Sequence, residues 1–297
     1  MEVDGHRIEL SNQDKVLFPG DGITKGDLVD YLRRVAELML PHLRDRPLVV
    51  RRFPDGIGEQ GFFHKDVPDS APEWLRTVRL DKKAGGSTIY AVCDDEATLV
   101  YLANLGSVEL HTLLAPAGDP DHPDQLVLDL DPPGDDAALV VAGARAAREV
   151  LERAGITSRV KATGSLGLHI TVRLDGDADF DTSREVARLL ADAVVERDPD
   201  RFTVAVSKEE RGDRLFVDWL RNSYGQHAVA PYSVRALPGA PVAMPLDWDE
   251  ATSSSFDPRR YSIGNAFRRL AQKDDPWAAA GRRTYRAAEL HDRLARR

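Results

Sequence analysis

The stretch Gln125–Pro133, QLVLDLDPP, decides how the rest of the chain is interpreted. Its leucines occupy every second position, and Asp129 and Asp131 lie on the alternate set, so a β-strand would place both carboxylates on one face. Two residues along a strand span roughly 6.5 Å, which allows both carboxylates to bind shared cations. A solvent-facing strand is the alternative interpretation. Aspartate is a poor strand former, and a metal site would explain its presence.

Composition limits the possible functions. The chain has 297 residues, 42% of them hydrophobic, which is enough for a large core. Its single cysteine, Cys93, excludes an internal disulfide and a cysteine-rich zinc site. The charged N-terminus and the lack of a long apolar run predict a cytoplasmic protein without a membrane span. Because the net charge is −9, any nucleic-acid site must be a local basic patch.

A helix is predicted to begin at Thr24, with Asp27 completing a capping box. Lys25 would lie in the first turn, and Lys15 lies just upstream. Two lysines beside free backbone N–H groups would form an anion site, although ordinary surface charge is the alternative.

Adjacent aromatic residues, Phe62 and Phe63, lie in a predicted strand over Gly61–Lys65. Neighbouring side chains on a strand point to opposite faces, so we expect one ring to enter the core. The other ring either packs under a loop or provides a platform on which a nucleobase stacks.

Strands and helices alternate irregularly along the rest of the chain. Residues 96–112 are expected to be mostly helical, with His111 as a cation near the helix C-terminus. The pattern predicts an α/β or α+β fold with at least one mixed or antiparallel sheet. Further strands are predicted at 48–53, 87–92, 158–161, 168–174, 202–206 and 214–219, and further helices at 135–154, 181–196 and 264–272.

Three features together indicate chemistry. Asp129 and Asp131 share a strand, and Asp218 lies in the apolar segment LFVDW, where a buried carboxylate needs a cationic partner. A glycine-rich turn lets the backbone approach a ligand closely, and Ser165 and His169 offer donors to phosphate oxygens. These features indicate metal-dependent phosphoryl or nucleotidyl transfer.

Three segments in this order, LVLDLDPP, TGSLGLHI and FVDWLRNSYGQHAVAPYSVRA, resemble the catalytic motifs of the archaeo-eukaryotic primase superfamily. The most similar branch is the polymerase domain of bacterial DNA ligase D with its stand-alone relatives, and the likeness runs from LSNQDKVLFP through GFFHK to DPW. The resemblance implies a primase-like fold with mixed sheets, an RRM-like catalytic module and an N-terminal α/β module. It implies one primase-polymerase domain over 1–297, with a DNA-end and template-binding part at 1–120 and a catalytic part at 121–297.

The resemblance also implies roles for individual residues. The three acids Asp129, Asp131 and Asp218 would be catalytic and would bind two divalent ions, Mn²⁺ or Mg²⁺. Phe62 and Phe63 would contact the template strand, and a pocket for a DNA 5′-phosphate would contain Asn12, Lys15 and Lys25. The implied nucleotide-binding residues are Arg52, His111, Ser165, His169, Lys208, Arg211, Asn222 and Arg235.

Two positions depart from the family pattern. Leu166 replaces a lysine that usually follows the serine of the second motif, so one phosphate contact is missing. Arg221 replaces a polar amide, and we hypothesise that it compensates.

The expected reaction is templated extension of a primer 3′-hydroxyl by nucleoside triphosphates at short gaps or broken DNA ends with a 5′-phosphate. By resemblance, ribonucleotides are preferred, the pathway is end joining or base-excision repair, and ligase and Ku are partners at the nucleoid. Two other classes stay open. A metal-dependent phosphodiesterase would hydrolyse DNA without added nucleotide, and a non-catalytic end-binding module would keep the lysine pocket while losing function at the acids.

Overall fold

The computed structural model describes residues 1–279 and 283–296. The described part of the chain forms two compact units, and each unit is assembled from three segments. Unit 1 contains 1–120, 227–243 and 261–267, whereas unit 2 contains 121–226, 244–260 and the residues from 268 onward. Residues 227–243 and 261–267 therefore belong to unit 1, although the expected catalytic part ran without interruption from 121 to 297.

The elements follow one another in this order: β1 (Glu2–Val3), β2 (His6–Arg7), β3 (Val16–Phe18), β4 (Ile23–Thr24), α1 (Lys25–Leu43), β5 (Leu48–Arg52), β6 (Phe62–His64), β7 (Thr77–Asp81), β8 (Ser87–Ala91), α2 (Glu96–Asn104), β9 (Ser107–Leu113), β10 (Gln125–Asp131), α3 (Ala137–Arg153), β11 (Arg159–Ala162), β12 (Leu168–Arg173), α4 (Phe180–Val195), β13 (Phe202–Thr203), α5 (Lys208–Arg211), β14 (Leu215–Asp218), β15 (His227–Val229), β16 (Pro245–Leu246), α6 (Trp248–Ala251), α7 (Ala266–Leu270), α8 (Pro276–Ala279) and α9 (Ala287–Ala295). None of the helices in the described ranges is both long enough and apolar enough to cross a membrane.

Unit 2 is built on a mixed sheet with the strand order β13-β14-β10-β12-β11-β16. Only the β13–β14 pair within this sheet is parallel. Helices α3 and α4 pack against β10 and β14. The leucines of β10 are buried, and burial of each contributes roughly 1.5–3 kcal/mol. The alternating pattern of β10 thus fixes which face of the sheet carries the polar residues.

Unit 1 contains an antiparallel sheet with the order β15-β9-β5-β6, in which every residue of the inner strand β9 is buried. A separate hairpin, β7–β8, packs Leu80 and Tyr90 against Val49 and Leu113 of this sheet. Helices α1 and α2 pack together, and α2 contacts β9.

The prediction of a helix over 96–112 is wrong in its second half. Helix α2 ends at Asn104, and Gly106 adopts a φ of +75°, a conformation that suits glycine and stops the helix. A Cβ at Gly106 would also lie 3.3 Å from the backbone of Pro54. The following residues form β9, so His111 is a buried strand residue and not a helix C-terminal cation.

The predicted start of α1 is confirmed. The hydroxyl of Thr24 accepts the N–H of Asp27, and the carboxylate of Asp27 accepts the N–H of Thr24. The backbone N–H groups of Lys25 and Gly26, however, donate to the carbonyls of Lys15 and Gln13. The expectation of free N–H groups beside the lysines is therefore wrong, because the preceding loop already uses these donors.

Candidate active site

Four polar side chains form a row across the sheet of unit 2. Lys161 on β11 is the direct partner of His169 on β12, and His169 is the partner of Asp129 on β10. Asp129 is in turn the partner of Asp218 on β14. Directly opposite residues share a face, so the strand register alone brings these groups together. Asp131 lies on the same face, two residues further along β10, at the exposed end of the strand.

Asp129 is the most enclosed of the acids. Its Oδ2 lies 2.7 Å from Nε of Arg221 and 3.3 Å from Nε2 of His169. Burial by itself would raise the pKa of Asp129, but His169 and the Arg221 guanidinium outweigh it and hold the pKa well below the ordinary range. Asp129 is therefore a carboxylate at physiological pH.

The other two acids show the opposite shift. Burial and the negative charge of Asp129 raise the pKa of Asp218, whose Oδ1 accepts the N–H of Leu220 at 2.7 Å. Desolvation and Asp129 likewise raise the pKa of Asp131. Both shifts indicate that the cluster holds more negative charge than its neighbours compensate, which is what a cation-binding site requires.

The three acids have the ligand chemistry of a divalent-cation site. Three carboxylates on one pleated face offer the oxygen ligands that Mg²⁺ and Mn²⁺ take. Within 1–279 and 283–296, however, no three His, Cys, Asp or Glu side chains converge as a formed metal site. Nε of Arg221 lies 2.7 Å from Asp129 and 3.9 Å from Asp218. The ligand chemistry fits a divalent cation, which Asp129, Asp131 and Asp218 would hold.

His169 lies below the acids and is buried. Its Nδ1 is 2.6 Å from Nζ of Lys161, itself buried, and its Nε2 faces Asp129. Burial and the charge of Lys161 lower the pKa of His169 to about 3, so the ring is neutral at physiological pH. A neutral ring that accepts from Lys161 at Nδ1 donates from Nε2 to Asp129. His169 thus contacts Asp129, and its role in nucleotide binding stays a prediction.

The second-motif turn is held close to β10. The hydroxyl of Thr163 donates to the carbonyl of Gly167 and accepts the N–H groups of Ser165 and Gly167. A Cβ at Gly167 would lie only 2.0 Å from the carbonyl oxygen of Leu130, so only glycine permits this approach. Ser165 remains partly exposed beside the turn.

The structure places a different cation at this turn from the one we hypothesised. Nε of Arg259 donates to the carbonyl of Ser165 at 3.0 Å, and the guanidinium is 41% exposed. Arg221, which was expected to compensate for Leu166, instead contacts Asp129 and Asp218. The geometry does not support the hypothesis that Arg221 replaces the missing lysine, because its guanidinium is paired with the two acids.

Asn222 acts on the backbone. Its Oδ1 accepts the N–H of Val127, and its Nδ2 donates to the carbonyls of Val127 and Trp219. The amide is buried and both of its donor hydrogens are used, so the expected contact with nucleotide is not supported by this geometry. Asn222 ties β10 to the turn after β14.

Lys208 and Arg211 lie on the short helix α5. Their charges, with that of Arg221, partly offset the rise in the pKa of Asp131, which places both within electrostatic reach of the exposed acid. Arg211 stacks 3.5 Å above the ring of Phe216 and donates to the carbonyls of Ala205 and Val206. Lys208 is exposed on the same helix.

The remaining nucleotide-binding candidates belong to unit 1. His111 and Arg235 lie 3.2 and 3.4 Å from the carboxylate of Glu109. Arg52 donates from Nε to the carbonyl of Leu105, and one of its terminal nitrogens lies 3.5 Å from Nδ1 of His64.

Lys25 and Lys15 have different surroundings, and their role in binding a DNA 5′-phosphate stays a prediction. Nζ of Lys25 contacts Ser11 and both oxygens of Asn104 at 3.1–3.2 Å. Burial and the charge of Lys15 lower the pKa of Lys25, so the two ammonium groups act on each other. Lys15 pairs with the exposed Asp55 at 2.7 Å. Asn12 is exposed, with a φ of +48°.

Both phenylalanines are on the surface, which corrects the expectation that one enters the core. Phe62 is 46% exposed and Phe63 is 51% exposed, and both lie on β6, an edge strand. Arg52 lies over the Phe62 ring, and His111 and His227 approach the Phe63 ring at 5.5–5.7 Å. The pair is available for stacking.

Sequence analysis did not identify two buried charged residues that contact the candidate site residues. Lys161 and Glu109 are buried charged residues in the middle of strands. The signal for Glu109 was its place within SVELHTL, where a charge among apolar residues needs partners. The incorrect helix prediction over 96–112 hid that signal, because Glu109 was not assigned to a strand.

The chain matches known proteins over most of its length. The family described as LigD, primase-polymerase domain, matches residues 24–277. The Mycobacterium tuberculosis "Multifunctional non-homologous end joining DNA repair protein LigD" is 33% identical over 278 residues, covering 91% of this chain and 36% of that protein. The Bacillus subtilis "Bifunctional non-homologous end joining protein LigD" is 30% identical over 273 residues, covering 91% of this chain and 44% of that protein.

A solved structure matches as well. The "Polymerase Domain from Mycobacterium tuberculosis Ligase D in complex with DNA" superposes with a TM-score of 0.85 and 31% identity, covering 92% of this chain and 98% of the other. Fold and sequence thus define the class: a primase-polymerase nucleotidyltransferase with an archaeo-eukaryotic primase-like fold. The chain belongs to the family of LigD primase-polymerase domains. It spans about a third of the length of the mycobacterial relatives that it matches, at 36%.

Proposed function

We propose that this chain adds nucleotides to a primer 3′-hydroxyl at short gaps or broken DNA ends, using a template strand and divalent cations. The observation that carries the proposal is the cross-strand placement of Asp129 and Asp218, with Asp131 on the same face. Family membership and the likeness to a polymerase domain in complex with DNA support the choice of substrate.

The residues around the acids support the two-ion chemistry of nucleotidyl transfer. Asp129, Asp131 and Asp218 would hold two Mn²⁺ or Mg²⁺ ions, which would supply charge neutralisation and activate the attacking hydroxyl. His169 and Lys161 keep Asp129 oriented and ionised for this task. The raised pKa values of Asp131 and Asp218 would return toward ordinary values once positive charge is bound.

The phosphates of the substrates would be held by basic groups. Lys208, Arg211 and Arg259 carry positive charge in unit 2, and Ser165 offers a hydroxyl beside Arg259. In unit 1 we assign Arg52, His111 and Arg235 to phosphate binding as well, and Phe62 with Phe63 to the template strand. Preference for ribonucleotides, and partnership with Ku and a ligase in end joining or excision repair, are parts of the same proposal, suggested by resemblance to the relatives.

The decisive experiment is primer extension on gapped DNA, comparing ribo- with deoxyribonucleotides in Mn²⁺ or Mg²⁺. Asp218→Asn keeps the size of the side chain and removes a ligand charge. We expect extension to fall at least about 100-fold, since bound cations contribute several kcal/mol to transition-state stabilisation. Extension by the Asp218→Asn protein at the unmodified rate, or hydrolysis of DNA without nucleotide by the unmodified protein, would refute the proposal.

A further inference from the structure

Glu109 is a buried carboxylate surrounded by cationic side chains in unit 1. Its side chain is 2% exposed. Oε1 accepts the N–H of Ala236 at 3.0 Å and lies 3.4 Å from Nε of Arg235 and 3.5 Å from a terminal nitrogen of Arg51. Oε2 lies 3.2 Å from Nε2 of His111. One acid therefore contacts three basic side chains from separate parts of the chain.

Glu109 faces more cationic groups than it can neutralise by itself. One carboxylate lies beside two guanidiniums and can offset the charge of only one of them. Arg51 is 36% exposed, whereas Arg235 is 17% exposed, so Arg51 is the more accessible of the two from outside. Burial would raise the pKa of Glu109, but the His111 hydrogen bond, Arg235 and the Ala236 N–H outweigh it and lower the pKa to about 2.

A purely structural role explains this arrangement poorly. Buried ion pairs are weak contributors to stability compared with apolar side chains of similar volume, because desolvation opposes the attraction between the charges. The cluster also connects to the surface aromatics, because Arg51 is the cross-strand partner of both Glu109 and Phe63. His111 meets the Phe63 ring edge-on at 5.7 Å. Glu109 thus orients Arg51 and His111, which lie next to the exposed ring of Phe63.

We propose that Glu109 is a positioning residue that orients Arg51, His111 and Arg235 to receive one phosphate group of the substrate. The inference rests on the proposed polymerase function. The phosphate belongs either to the incoming nucleotide or to the DNA backbone, and the chemistry of recognition is the same for both: guanidinium and imidazole donors on phosphate oxygens.

Glu109→Gln tests this role, because it keeps the shape and an acceptor for Ala236 but removes the charge that aligns the cations. We expect kcat on gapped DNA to fall at least about tenfold, since misplacement of positioning groups by about 1 Å costs up to about 100-fold. The substrate whose phosphate binds here should show a lower KM, because Glu109→Gln makes the cluster more positive. The KM of the other substrate should be unchanged. Titrating nucleotide at saturating DNA, and DNA at saturating nucleotide, identifies the source.

A double-mutant cycle shows whether Glu109 acts through its partners. Adding Glu109→Gln to Arg235→Ala should reduce kcat by a smaller factor than Glu109→Gln does in the unmodified protein, because one of the three groups that Glu109 aligns is already gone. Glu109→Asp retains the charge but withdraws it by about 1.5 Å, and should recover part of the lost kcat. It also serves as the test variant if Glu109→Gln does not fold. Glu37→Gln on the exposed face of α1 makes the same chemical change away from the cluster and should leave both constants unchanged.

The inference is overturned if the Glu109→Gln protein only melts at a lower temperature, with kcat and both KM values unchanged per folded molecule. Full additivity with Arg235→Ala also overturns it. If the unmodified protein extends no primer under any of the conditions, the polymerase proposal itself has failed, which is a distinct result.

Discussion

The three aspartates of the candidate active site differ in their electrostatic environment, although all three are carboxylic acids. Asp129 is compensated by His169 and Arg221, whereas Asp131 and Asp218 keep raised pKa values. The asymmetry follows from position, because Asp129 occupies the inner strand and meets partners on both sides. Arg221 therefore supplies the positive charge nearest to the acids.

Arg221 should compete with divalent ions for Asp129. We expect Arg221→Gln to bind Mn²⁺ at least about tenfold more tightly, since a charge-assisted hydrogen bond contributes about 1.5–3 kcal/mol and need not be broken in the variant. Isothermal titration of the protein without DNA measures this directly. Arg268→Gln, a change of the same kind elsewhere in unit 2, provides the control. Equal or weaker Mn²⁺ binding by Arg221→Gln would show that the guanidinium does not oppose the ion.

Glu109 should make the fold sensitive to acid. Its folded pKa of about 2 lies below the ordinary value of 4.5, so its stabilising effect is present above pH 4.5 and is lost as pH falls toward 2. The shift corresponds to about 3 kcal/mol in all, of which about 1 kcal/mol is lost by pH ~3.5. Urea unfolding between pH 7 and pH ~3.5 should therefore show a smaller loss of stability in Glu109→Gln than in the unmodified protein. Parallel pH dependences would mean that Glu109 keeps an ordinary pKa.

Among the helices and strands, local sequence signals predicted those features that depend on residues adjacent in sequence. The capping box of α1 and the alternation in β10 were confirmed because both depend on residues within a few positions. Groups satisfied by distant segments could not be predicted. The N–H groups of α1 are used by the loop at Gln13–Lys15, and the amide of Asn222 is used by β10. The identity of the acids was accessible from sequence, but Lys161 became visible only through strand register.

The start of α1 yields a prediction about DNA ends. Because its first N–H groups are occupied, we expect any 5′-phosphate bound here to be held by the side chains of Lys15 and Lys25. We expect extension on gapped DNA to be at least about tenfold faster with a downstream 5′-phosphate than with a hydroxyl, in line with charge-assisted hydrogen bonds. Lys15→Ala with Lys25→Ala should abolish that ratio while sparing a simple primer-template. Lys82→Ala with Lys83→Ala, which changes net charge equally, should preserve it. If the unmodified protein extends both substrates at the same rate, the two lysines do not recognise the 5′-phosphate and are ordinary surface charges.

The whole molecule is assembled from interleaved segments. Strand β15 pairs with β9 and belongs to unit 1, although it follows β10, β12 and β14 in sequence. The segment at 227–243 also contributes Tyr232, which is fully buried and accepts a hydrogen bond from Tyr31 at its carbonyl. Sequence analysis could not detect that residues 227–243 rejoin unit 1, because a local pattern carries no information about which hydrophobic core a segment joins.

Residues 1–120 alone should therefore fail to form a stable unit. Without 227–243, that fragment loses Val229, Tyr232, Val234 and Val242, all of them buried in unit 1. Each contributes roughly 1.5–3 kcal/mol, and together they rival the total stability of a domain, about 5–15 kcal/mol. We expect no cooperative thermal transition for this fragment by circular dichroism, in contrast to the whole chain. A sharp transition in the fragment would show that the returning segment is dispensable.

The cross-strand row in unit 2 makes the length of each strand as important as its composition. A substitution at Asp129 removes one carboxylate, but a single-residue insertion earlier in β10 would turn both of its acids toward the leucine face. The same holds for His169 on β12 and Asp218 on β14. In the lineage of this chain, insertions and deletions should therefore accumulate in the connecting loops, while the residue counts of β10, β12 and β14 stay constant.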